Sequence, residues 1–184
     1  MLPIKIDETE IFDETTNEFH YIKACTLNLE HSLISVSKWE SKWKKSFIPN
    51  GKLDKRTDEE MLDYVRCMTL NQNVDPNVYK CLKKSDLKVI ADYINDPMTA
   101  SKVTSRGGSR GRGKMITSEL IYCWMAMYQL PFEVCEKWHL NRLLMLIKIC
   151  NVENSEPKKM STRDVIRQNA AINAARRAQL HSKG

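Results

Sequence analysis

The hydrophobic period of this chain changes once, near Ser32, and that change limits the folds open to it. Before it, Leu2, Ile4 and Ile6 alternate with polar residues. Phe19, Tyr21, Cys25, Leu27 and Leu29 continue an every-second-residue pattern broken only by Lys23, which is the period of strands with one buried face. The polar run Asp13–Glu18 between them reads as a turn, so residues 1–31 predict a small antiparallel β element. After Ser32 the spacing becomes helical. Val36, Trp39, Trp43 and Phe47 fall on one stripe, ended by Pro49-Asn50-Gly51.

Helix starts are written along the rest of the chain. Thr57 with Glu60 three residues on is a capping-box pattern ahead of Met61, Leu62, Val65 and Met68. Asp75-Pro76 sets a capping side chain before a proline at the first helical position, opening a short helix through Val78 and Leu82. Ser85 opens another with Leu87, Ile90 and Ile94 inward, ending before Pro97. Thr117 precedes a helix carrying Leu120, Ile121, Trp124 and Tyr128. Pro131 starts a further one whose Trp138, Leu140, Leu143, Leu144, Ile147 and Cys150 cover a wide arc; these two are expected at the centre of the core. Ser161 with Asp164 repeats the capping-box pattern before a final segment rich in Ala and Arg.

The expected fold is therefore mainly α with a small N-terminal antiparallel β element, a compact multi-helix domain. Residues 1–31 form the β element, 32–151 the helical core with a mobile Gly/Arg loop at 101–114, and 152–184 a linker and basic C-terminal helix. A length of 184 residues suits one modest core, and 42% hydrophobic with 28% charged residues argues against a wholly disordered chain. The longest apolar stretch, Leu120–Tyr128, is too short to cross a bilayer, and the acidic start lacks the basic flank and apolar run of a secretory signal. Six cysteines, none in a C-x-x-C, read as reduced and mostly buried thiols.

Charge is polarised along the chain. Residues 1–40 hold three Lys against eight acids, a net of −5, whereas residues 101–184 hold fifteen Lys or Arg against six acids, a net of +9. Such polarity steers a chain toward nucleic acid, an acidic partner, or the opposite end of its own copies.

The motifs exclude more chemistry than they offer. Gly108–Lys114 has the G-x-x-x-x-G-K spacing of a phosphate-binding loop, but Met115 stands where magnesium needs Ser or Thr, and no apolar strand precedes it. Arg106, Arg110, Arg112 and Lys114 resemble a flexible phosphate-neutralising tract, without aromatic residues for base stacking. Cys135 and His139, four apart, lack the second pair that a structural zinc requires. None of His20, His31, His139 or His181 sits in a catalytic signature. No catalytic, cofactor-binding or metal-ligating residue is assigned, and the chain is expected not to be an enzyme. The excess lies in Trp39, Trp43, Trp124, Met125, Met127 and Trp138, residue types that fill cores and also line adaptable protein-binding grooves.

Segments in order over nearly the full length, Ser37–Trp43, Asn73–Pro76, Asp92–Asn95, Ile116–Tyr122, Lys137–Leu144 and Pro157–Ser161, resemble the tail assembly chaperones of long-tailed bacteriophages. The resemblance implies a non-enzymatic protein that binds the tape measure protein, keeps it soluble, and is displaced as tail tube subunits polymerise around it. It further implies self-association, the major tail tube protein as a further partner, and in many phages a longer form made by translational frameshifting. The expected location is the host cytoplasm during assembly, not the mature virion. Trp39, Trp43 and Phe47, or Trp124, Met125 and Met127, are then the candidate client contacts, with Arg106, Arg110, Arg112, Lys114, Arg163, Arg167, Arg176 and Arg177 as candidate electrostatic contacts. The alternative is a small basic nucleic-acid-binding or regulatory protein using the Gly/Arg loop and the C-terminal helix.

Overall fold

The computed structural model describes residues 1–13, 17–48, 56–101, 115–154 and 162–179. The Pro49-Asn50-Gly51 stop, the Gly/Arg loop from residue 102 to 114, Ser161 and most of the linker before it lie outside the described residues. Contacts divide the chain into Met1–Cys150 and Asn151–Gly184.

Mainly helical structure with a small antiparallel β element is what the first unit has. Its strands are β1 (Leu2–Ile6), β2 (Thr9–Asp13), β3 (Glu18–Ile22) and β4 (Cys25–Leu29). They pair as nested hairpins: β1 lies antiparallel to β4 with Leu2 opposite Leu29 and Ile4 opposite Leu27, and the β2–β3 hairpin is inserted between them in sequence, with Phe12 opposite Phe19. Ile4, Ile6, Leu27 and Leu29 are buried on one face of the outer pair, as the alternation requires.

The inner hairpin departs from the expected phase. Ile22 is buried, while Phe19 and Tyr21 are 72% and 56% exposed and Phe12 is 48% exposed. Lys23 and Ala24 interrupt the ladder, so the two stretches of alternation belong to different sheets and bury opposite parities.

The outer edge of β4 is closed by the chain after the second helix. Glu30 N–H donates to the Met68 carbonyl and Leu70 N–H to the Asn28 carbonyl. The Asn71 amide then continues the ladder as a peptide group would, accepting from Asn28 N–H at 2.7 Å and donating to the Thr26 carbonyl at 3.1 Å. An edge satisfied in this way no longer offers its backbone groups to other chains.

Helix α1 (Leu33–Trp43) starts at Ser32, whose Oγ accepts from Ser35 N–H, and ends at Lys44 in the left-handed region (φ 54°). Phe47 is therefore on the stripe but off the helix, in the turn that follows. Helix α2 (Asp58–Met68) has both halves of the capping box, Glu60 N–H to Thr57 Oγ1 and Thr57 N–H to the Glu60 carboxylate. A 3-10 turn (Pro76–Cys81) follows the Asp75 cap. Helix α3 (Lys84–Asn95) starts before Ser85 because Asp86 caps Lys83 N–H; Ile90 is its buried residue, and Leu87 is exposed.

The expected helix from Pro131 is two helices. After α4 (Ser118–Met127) comes the single turn α5 (Phe132–Cys135), then α6 (Leu140–Glu153). The break has a tertiary cause: His139 forms an antiparallel bridge with Ser32, and Leu140 N–H donates to the His31 carbonyl at 2.7 Å. Those residues stitch α6 to the β4–α1 junction and leave the helical path to do so. The core beneath joins Leu27, Leu29, Leu33, Val36, Tyr64, Met68, Ile90, Ile121, Leu140 and Leu143. Of the cysteines, Cys135 is buried, Cys123 exposed and the other four half-buried.

The second unit is described through α7 (Thr162–Gln179), whose described side chains are all exposed. Among the described residues no helix is long and apolar enough to cross a membrane.

Candidate interaction surfaces

The tryptophan stripe is a seam, not a surface. Trp39 is fully buried, and its indole N–H donates to the Glu60 carbonyl at 2.8 Å. Trp43 is half-buried and stacks on Trp39, ring centroids 6.2 Å apart; its indole N–H donates to Asp63 Oδ2 at 2.8 Å. Both indoles thus tie α1 to α2 at points one helical turn apart. Phe47 is buried, stacked on Tyr64 at 3.9 Å, with the Arg56 guanidinium 4.1 Å from its ring centroid. Met125 is fully buried. Trp39, Phe47 and Met125 are therefore corrected from candidate client contacts to core, because their apolar area is already spent on folding.

Charged groups lock the same seam. Lys42 pairs with Asp63 at 2.6 Å and Lys45 pairs with Glu60. The hydrogen bond from Lys45, with that from the Thr57 backbone, lowers the Glu60 pKa. Burial works to raise the Asp63 pKa, but the Lys42 and Trp43 hydrogen bonds outweigh it and hold the carboxyl below its ordinary value. Glu40, 7% exposed, accepts from Phe47 N–H at 2.8 Å through one oxygen and from Ser118 N–H at 2.7 Å through the other. One buried carboxylate thereby fastens the turn after α1 to the start of α4.

Beside the seam lies a closed polar cluster. Tyr64 Oη and His31 Nδ1 share a hydrogen bond at 2.5 Å, and the His31 ring sits 5.0 Å from that of His139. Burial, then the neighbouring His139 and Arg56, lower the His31 pKa to about 3, so at neutral pH its ring is uncharged. Burial raises the Tyr64 pKa, so the phenol stays protonated. His139 Nδ1 accepts from Asn141 N–H and its Nε2 donates to the Tyr93 carbonyl, which fixes the tautomer. His31 Nδ1 and both His139 ring nitrogens are engaged in bonds that hold elements together. Among the described residues no three His, Cys, Asp or Glu gather to hold a metal ion.

Exposed apolar area concentrates elsewhere. Helix α4 ends in a Schellman motif: Leu130 N–H returns to the Met125 carbonyl and Gln129 N–H to that of Ala126, with Gln129 at φ 52°. This tight reversal places α5 directly after α4, with Met127 (68% exposed), Phe132 (44%) and Val134 (54%) turned out and Trp124 half-buried on α4. Phe132 packs edge-on against Tyr122 at 5.8 Å. Tyr122 in turn donates to Glu136 at 3.0 Å, its pKa pushed up to about 12 by burial and by that carboxylate. Met127 and Trp124 are among the candidates named from the sequence. Phe132 and Val134 are not, because the sequence pattern predicts one buried helix from Pro131, whereas α5 and α6 are separate.

The β2–β3 hairpin carries a second group. Phe12 and Phe19 touch across the strands, centroids 5.0 Å apart, and Tyr21 shares their outward face and donates to Glu8 at 3.0 Å. Of the candidate electrostatic residues, Arg163, Arg167, Arg176 and Arg177 are exposed on α7. Arg106, Arg110, Arg112 and Lys114 lie outside the described residues.

Compared with known proteins, the chain matches no family model, no curated protein and no solved structure.

Proposed function

We propose that this chain is a tail assembly chaperone of a long-tailed bacteriophage: it binds the tape measure protein, keeps it soluble, and is displaced when tail tube subunits polymerise around that rod. The sequence resemblance over Ser37–Ser161 motivates the reading. The observation that carries it physically is the α4–α5 corner, where Met127, Phe132 and Val134 stand exposed. A shallow patch of Met and aromatic side chains suits reversible contact with the apolar face of an amphipathic helix. Many weak contacts along a rod add through multivalency, yet each remains easy to displace. The work is done by binding alone, in the host cytoplasm during assembly, and the chaperone is absent from the finished virion.

Co-expression tests the reading. The tape measure protein alone partitions to the pellet, and co-expression with this chain moves it to the supernatant. Met127→Asp with Phe132→Asp leaves the fold intact and abolishes that rescue. A tape measure protein that stays insoluble beside the wild-type chain refutes the assignment.

A second reading is favoured by one feature, the four exposed arginines of α7: a small nucleic-acid-binding or regulatory protein. Its binding would weaken steeply with salt, whereas apolar client binding would change little.

A further inference from the structure

The outward face of the β2–β3 hairpin and the arginine stripe of helix α7 both carry exposed side chains, and they are opposite in charge. Between Ile6 and Ile22 the chain holds six acids, Asp7, Glu8, Glu10, Asp13, Glu14 and Glu18, and no Lys or Arg. Glu8 and Glu10 flank the exposed aromatic face of Phe12, Phe19 and Tyr21. Helix α7 carries four Arg against the single acid Asp164. At about 100° per residue, Arg163, Ile166, Arg167, Ala170, Ala174 and Arg177 fall within one arc of roughly 100°, and all six are exposed. Small alanines along the middle of that stripe let a helix approach a β-ribbon closely, with guanidinium groups to either side. Arginine is the cation that both pairs with carboxylates and stacks on aromatic rings.

We infer that the α7 arginine stripe of one copy docks on the acidic aromatic face of the β2–β3 hairpin of a second copy. The dimensions agree: the stripe spans about 21 Å at 1.5 Å per residue, and five-residue strands span about 17 Å. The acids of the hairpin repel phosphate, so the occupant that fits this face is cationic protein, and every copy of the chain brings one. Because hairpin and helix are different surfaces, the contact is heterologous and propagates head to tail, each copy using its hairpin for one neighbour and its helix for the other. The inference goes beyond the chaperone reading and does not depend on the client.

Sedimentation of the purified full-length chain tests it. Wild type associates at about 0.05 M salt and dissociates at about 0.5 M, where screening is strong. Glu8→Lys with Glu10→Lys, and separately Arg163→Glu with Arg167→Glu, each lower the association constant by more than about tenfold. The chain carrying all four substitutions recovers association, as does an equimolar mixture of the two double variants. All the substituted side chains are exposed, and thermal melts superimposing on wild type show that folding is unaffected. A wild-type chain that stays monomeric at low salt overturns the inference, as do double variants that associate normally or a fourfold variant that fails to recover. Association with no solubilisation of the tape measure protein would remove the client reading and leave this one standing.

Discussion

Glu40 is the buried group whose removal has the most calculable consequence. Its two carboxylate oxygens accept from two backbone N–H groups 71 positions apart, Phe47 and Ser118, at 2.8 and 2.7 Å. Glutamine keeps the size and one acceptor but turns an NH₂ group toward the other N–H. Glu40→Gln therefore strands one buried donor, at a cost of about 1–3 kcal/mol. Alanine strands both, about 2–6 kcal/mol by the same reasoning. For a unit of this size 1 kcal/mol moves Tm by about 2–4 °C, so the glutamine variant melts about 2–12 °C below wild type. Urea unfolding followed by tryptophan fluorescence measures the difference, because Trp39 and Trp43 lie on the same helix as Glu40. Glu59→Gln, exposed on α2, is the control and stays within about 0.5 kcal/mol. A Glu40→Gln chain as stable as that control would refute the view that this carboxylate fastens α1 to α4.

Three further outcomes follow from the geometry. His31 has a folded-state pKa of about 3 against an ordinary 6.5, so below pH 6.5 the unfolded chain takes up a proton that the folded chain refuses. Stability is full above that pH and falls by up to about 1.4 kcal/mol per pH unit as the pH drops from 6.5 toward 3; urea melts between pH 7 and 5, above the range where Glu60 and Asp63 add their own loss, show the slope, and His31→Gln flattens it. Gln129 occupies the left-handed region at φ 52°, which costs a side-chain-bearing residue about 1–2 kcal/mol; Gln129→Gly relieves this and, after the added freedom of the unfolded chain, raises stability by about 0.5–1 kcal/mol in the same assay. Trp39→Ala empties a core site and loses about 3–5 kcal/mol, whereas Trp43→Phe forfeits mainly the indole bond to Asp63, about 1 kcal/mol; equal costs would contradict the different burial of the two rings.

What the sequence makes legible here is whatever is encoded locally. The Thr57–Glu60 capping box, the Asp75-Pro76 start and the alternation of Leu2, Ile4 and Ile6 are complete within a few residues, and each forms as read. What stays hidden depends on partners distant in sequence. The kink that separates α5 from α6 exists because His139 and Leu140 bond to Ser32 and His31, more than a hundred positions earlier. Phe19 and Tyr21 share a parity with Leu27 and Leu29, yet the interruption at Lys23–Ala24 sends the two runs into separate sheets, so the same spacing buries one pair and exposes the other. In the same way Trp39 and Met125 carry the residue types of a binding groove, and only the arrival of α2 and the rest of the core around them makes them interior. Exposure of Phe132 and Val134 was unreadable for the converse reason: it follows from the reversal at Gln129, a position without glycine to announce it.

Amide hydrogen exchange on the complex with the tape measure protein tests the central claim most directly, since it reports where the client lies on the folded chain. The account predicts added protection over residues 122–135, at the α4–α5 corner, and unchanged exchange along α1 and α2, whose tryptophans face inward. Protection that falls on α1 and α2 and spares the corner would contradict it, and so would a mixture showing no protection anywhere in Met1–Cys150.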